Sequence, residues 1–123
     1  MEQQFLSDLL GWISFILLIL LVAIQPLGKL EKKYPKVKKV NRILKKYHKL
    51  MGIIILVTAC IHGKTIVNKT GLATGIISFL LMVVILLTYP TKRLLKKSWV
   101  VMHRVLSTIV MAIVIVHILI AIL

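Results

Sequence analysis

Apolar and polar positions in this chain fall into long alternating blocks, without the two-residue alternation of half-buried strands. Apolar runs cover about residues 9–27, 44–66, 71–89 and 99–123. A helix rising about 1.5 Å per residue crosses a bilayer in about twenty residues, so each run predicts one spanning helix. The expected fold is all-α, an integral membrane four-helix bundle formed as a single domain over residues 1–123. Pro26 and Gly28 mark the exit from the first run and Pro90 the end of the third. Gly11 and Ser14 give the first helix a small-residue face for close approach, and Gly71 and Gly75 form a G-x-x-x-G spacing in the third. Neither of these two helices carries a histidine, so both are expected to be walls of the bundle. Between the first two runs, Val37, Val40, Leu44 and Tyr47 recur at three- and four-residue steps. The stretch after Pro35 therefore predicts a basic amphipathic helix on the membrane surface.

Composition agrees with the block pattern. Hydrophobic residues make up 59% of the chain, which places it among membrane proteins. The formal charge of +14 would point to nucleic acid only if the basic residues shared a face with base-reading side chains. They lie instead between the apolar runs, so membrane lipids with anionic headgroups are the expected partner, and no nucleic acid is expected. Fifteen of the seventeen basic residues fall in the first and third links or at Arg104, against Lys64 and Lys69 in the second. This imbalance puts the basic links in the cytoplasm and both termini outside, a multi-pass N-out/C-out protein of a bacterial cytoplasmic membrane. No basic residue precedes the first apolar run and no small-residue cleavage pattern follows it, so no cleaved signal peptide is expected. Asn68-Lys69-Thr70 matches a glycosylation acceptor, a three-residue pattern too common to carry weight.

The four histidines change the picture. His48 and His62 are fourteen residues apart in the second run, and His103 and His117 repeat that spacing in the fourth. Fourteen residues at about 100° each fall about 40° short of four turns, so both imidazoles of a helix share a face about 21 Å apart. The topology makes the second and fourth helices run the same way, which sets His48 level with His103 and His62 level with His117. An ionisable side chain inside a span is costly unless satisfied, and a lone one reads most simply as a hydrogen-bonded core histidine. Two matched pairs call for more. Zinc wants about four ligands together, whereas two nitrogens at each level suit the axial positions of a haem. The single cysteine, Cys60, excludes an internal disulfide, and without a C-x-x-C-H motif the haem would be held non-covalently. Cys60 is expected to point away from His62. Gly52 and Ala59, each about a turn from a histidine, would make room for a flat ring. Lys45, Lys49 and Arg104 are candidates to meet charges at the cytoplasmic level, and Trp99 is an expected interfacial anchor.

WVVMHRVLSTIVMAIVIVH together with YHKLMGIIILVTACIHG resembles the ferric reductase-like transmembrane domain family, which includes NADPH oxidase membrane domains and the haem subunit of the methionine sulfoxide reductase system. The matching positions are Trp99, His103, Arg104 and His117. The resemblance implies two haem b groups, held by His48/His103 on the cytoplasmic side and His62/His117 on the outer side. It implies electron transfer from the cytoplasm to an external acceptor by the membrane subunit of a reductase, an electron-transfer component more than a complete enzyme. Family members usually have six spans and often a flavin and nicotinamide domain, whereas this chain has four runs and no G-x-G-x-x-G. A separate electron donor, quinol or flavoprotein, is therefore expected. The alternatives are a self-sufficient quinol or superoxide oxidoreductase, and a haem-free transporter or assembly protein.

Overall fold

The computed structural model describes residues 2–65 and 72–123, and among them there is no strand. Helix α1 spans Glu2–Val22 and α2 Ile24–Leu30; α3 spans Pro35–Thr65 and α4 Leu72–Leu87. A 3-10 turn at Tyr89–Thr91 and the short α5, Lys92–Leu95, lead to α6, Lys97–Ile122. The Asn68 triplet and Gly71 lie outside the described residues.

The first helix begins seven residues before the apolar run, because Glu2 to Asp8 add polar turns beyond the hydrocarbon length. Pro26 does not end it. The break falls at Ala23, one residue past Val22, whose carbonyl the proline ring would crowd and cannot engage, and α2 then continues the same path. The surface helix and the second span prove to be one 31-residue helix, α3, opening on Pro35 at its first position. Nothing between Lys36 and Ile61 breaks a helix except the single Gly52, so the basic half runs straight into the apolar half. Ahead of Pro90, α4 stops at Leu87, and the chain turns with Thr91 Oγ1 donating to the Thr88 carbonyl. Between α5 and α6, Lys96 takes a positive φ of 48°, which reverses the chain before Trp99.

Helix α1 lies along α3 and α4 along α6, while α3 also meets α4 and α1 meets α6. The two histidine helices are thus diagonal neighbours, each flanked by α1 and α4. Leu18 of α1, Ile55 of α3 and Val110 of α6 form the buried core, with Leu81 and Met82 of α4 packed on it. Ile55 is seven residues from both His48 and His62, and Val110 is seven from both His103 and His117. The core is therefore a plug midway between the histidine levels. Outside it the helices expose Ile16, Leu20, Ile53, Val57, Leu80, Val105, Ile115 and Leu119, an apolar exterior that suits lipid and not water.

Among the described residues three helices are long and apolar enough to cross a membrane: Glu2–Leu30, with its short break, Leu72–Leu95 and Lys97–Ile122. The second sequence run is the exception. Its helix α3 carries Lys45, Lys46 and Lys49 before the apolar stretch and Lys64 after it.

Candidate functional site

The histidines meet across the diagonal. The rings of His48 and His103 have centroids 5.8 Å apart at 63°, and those of His62 and His117 lie 6.3 Å apart at 86°. Parallel diagonal helices with the same fourteen-residue step produce this ladder directly. Two imidazoles on opposite faces of one metal need nitrogen–metal bonds of about 2.0 Å. Each ring centroid lies about 1.1 Å behind its nitrogen, the radius of a five-membered ring with bonds of about 1.33 Å. Rings about 6 Å apart at each level could hold one metal ion between them.

The second pair is held by the helices that carry no histidine. The ring Nδ1 of His62 is 2.6 Å from the Ser7 carbonyl oxygen and 3.1 Å from Ser7 Oγ. A carbonyl only accepts, so Nδ1 is the donor here, and Nε2 is the nitrogen left to serve as a ligand. Ser7 Oγ in turn donates to the His62 carbonyl at 3.3 Å. On the other side, Thr74 Oγ1 is 3.1 Å from His117 Nδ1. Close approach at both rings depends on glycine: a Cβ on Gly11 would stand 3.0 Å from His62 Cε1, and one on Gly75 would stand 3.0 Å from His117 Cε1. A cavity of about 570 Å³ opens beside the pair, lined among others by Gly11, Ala59, His62, Gly75, Phe79 and His117. Sites for sizeable organic cofactors fall at about 300–1,000 Å³. Cys60, expected on the far side of α3, is exposed yet also reaches this wall.

The first pair is built differently. Nδ1 of His48 and Nδ1 of His103 are both buried without a hydrogen-bond partner among the described residues. Trp99 does more than anchor the interface: it stacks on His103 at 5.0 Å and 19°, and its indole N–H donates to the Thr88 carbonyl at 3.0 Å. Tyr89 meets Trp99 edge-on at 6.3 Å, and Lys49 Nζ donates to the Tyr89 hydroxyl at 2.7 Å. Lys49, expected to face this level, thus reaches the aromatic rim, while Lys45 and Arg104 are exposed. A Cβ on Gly52 would meet nothing within 4 Å.

Sequence reasoning missed Ser7 and Thr74, and it gave Gly11 and Gly75 only a general packing role. The signal was present. Gly11-Trp12-Ile13-Ser14-Phe15 and Gly75-Ile76-Ile77-Ser78-Phe79 repeat one pattern, as the two H-x13-H helices repeat another. The chain is two copies of a hairpin, α1 with α3 and α4 with α6, and in each copy the first helix backs the last histidine of the second.

Among the described residues no three His, Cys, Asp or Glu side chains gather into a group that would hold a bare metal ion. Each level supplies two nitrogens, the number an axially ligated haem requires. No family model, curated protein or solved structure matches the chain.

Proposed function

We propose that this chain is the dihaem membrane subunit of an electron-transfer system of the ferric reductase-like kind. The observation that carries the reading is the meeting of all four histidines in two pairs, with ring centroids 5.8 and 6.3 Å apart. His48 and His103 would hold one haem b, and His62 and His117 the other. Such a group would supply one-electron transfer. The protein's part is to fix the rings, keep water out and space the two sites. Ser7 and Thr74 orient the second pair, and Trp99 braces His103. Ile55 and Val110 fill the interval between levels.

The proposed topology has four spans, with α3 as the fourth. Its exposed Ile53, Val57 and Ile61 face outward as those of its neighbours do. Its lysines sit at the ends, where long side chains reach the interface, as Lys49 does toward Tyr89. The positive links face the cytoplasm, so His48/His103 is the inner level and His62/His117 the outer. Electrons are expected to enter from a separate quinol or flavoprotein and to leave for an external acceptor.

Purified protein tests the reading. A reduced-minus-oxidised spectrum of b type, with close to two haems extracted per chain, is expected; a folded, colourless protein refutes it. His117→Ala and His103→Ala should each leave one haem. Loss of both haems from either well-folded variant would overturn the assignment of separate pairs. Turnover with quinol and an oxidant, in the absence of any protein partner, would make it a complete enzyme instead of a subunit.

A further inference from the structure

The two histidine levels differ in what stands behind their rings. At His62/His117, Nδ1 of His62 donates to the Ser7 carbonyl at 2.6 Å, and the Thr74 hydroxyl adjoins Nδ1 of His117 at 3.1 Å. At His48/His103, Nδ1 of both rings is buried with no partner among the described residues. A hydrogen bond drawn from Nδ1–H makes the opposite nitrogen more basic, and a more basic ligand favours the ferric over the ferrous state. The cavity beside His62 and His117 is lined by both Asp8 and Lys64, so the hydrogen bonds, and not a net charge there, set the two levels apart.

We propose that α1 and α4, which carry no ligand, set the order of the two potentials: Ser7 and Thr74 hold the His62/His117 site at the lower potential and leave His48/His103 at the higher. The inference rests on the two-haem reading and goes beyond it. With one electron in the protein, that electron resides at the inner site. Transfer from an external reductant inward is the downhill direction through the chain. Outward flux runs against this internal step, and an acceptor or the membrane potential has to draw it.

The test is spectroelectrochemistry of the purified holoprotein, with each reduction step assigned by His103→Ala, which keeps the outer site, and His117→Ala, which keeps the inner. The lower step should belong to the outer site. Thr74→Val should move that step upward and leave the other in place, and Thr74→Ser should restore it, which a loss of packing alone would not produce. The order in the unaltered protein decides even if Thr74→Val does not fold. The reverse order, or a Thr74→Val shift that is absent or equal in both steps, overturns the inference while leaving two haems in place. A protein that binds no haem overturns it together with the reading beneath it.

Discussion

Adding one methyl group at Gly11 tests whether the His62/His117 level is as tightly built as its distances indicate. The new Cβ would stand 3.0 Å from His62 Cε1 and 3.2 Å from its Nδ1. Carbon atoms prefer about 3.5–4.0 Å, so the ring must retreat by about half an ångström or more. It cannot do so freely, because the same Nδ1 is held 2.6 Å from the Ser7 carbonyl on the helix that carries Gly11. Inserting a methyl into such a contact costs about 1–3 kcal/mol. Replacing glycine by alanine inside a helix returns about 0.5–1 kcal/mol. The net expected loss is about 0–2.5 kcal/mol, the difference of these two ranges. If the loss falls on a group held by His62 and His117, it weakens binding there by up to about sixtyfold, at about 1.4 kcal/mol per factor of ten. Gly52→Ala is the internal control: its Cβ would meet nothing within 4 Å, so it should keep the helical gain. Thermal unfolding in detergent, with haem retention followed in the same samples, reads both effects. Equal behaviour of Gly11→Ala and Gly52→Ala would refute the packing described at His62.

Three further outcomes follow from the same geometry. If each pair holds a haem, the near-perpendicular rings of His62/His117, at 86°, would give a more anisotropic ferric signal in low-temperature EPR than those of His48/His103, at 63°; two identical rhombic signals would contradict the ring geometry. The Glu31 carboxylate is held below its ordinary pKa, first by the hydrogen bond from Asn41 and then by Lys45, Lys38 and Arg42. Its contribution to stability is therefore present above about pH 4.3 and lost as pH falls through the lowered value, a dependence that Glu31→Gln should flatten in acid unfolding measurements. In a Cys60→Ser background, a cysteine at Asn68 should react with an impermeant thiol reagent from outside and one at Val37 should not; the opposite labelling would invert the bundle and exchange the inner and outer sites.

What the sequence made legible was whatever depends on one helix at a time. The fourteen-residue steps fixed which face each histidine occupies, and charge asymmetry then predicted the partners that the structure brings together. Helix ends were less legible, since they depend on competition between local signals. Pro26 reads as a stop, yet the apolar turns on both sides of it carry α2 onward along α3. Pro35 reads as the start of a separate surface helix, yet no breaker follows to detach it from the span. The support behind the histidines was least legible, because it depends on contacts between helices about fifty residues apart in sequence.

Even there, periodicity held a usable signal at a longer scale. A wall helix in lipid has little need of a particular residue on a given face, since lipid and neighbouring side chains are equally apolar. The pattern Gly-x-Ile-Ser-Phe at Gly11 and again at Gly75, on the two helices without ligands, is therefore a constraint that lipid contact does not impose. A flat imidazole pressed against the backbone does impose it, because only glycine admits a ring at the distances found for His62 and His117. Among the described residues no equivalent glycine backs His48 or His103; Trp99 stacks on His103, and the Nδ1 atoms of both rings lack partners there. The repeat thus marks one level and not the other, and the duplicated hairpin has given its two ends different surroundings. Were the two pairs to hold the same group, they could differ in potential only through such surroundings, so the residues behind the rings, and not the histidines themselves, would distinguish the two ends of the ladder.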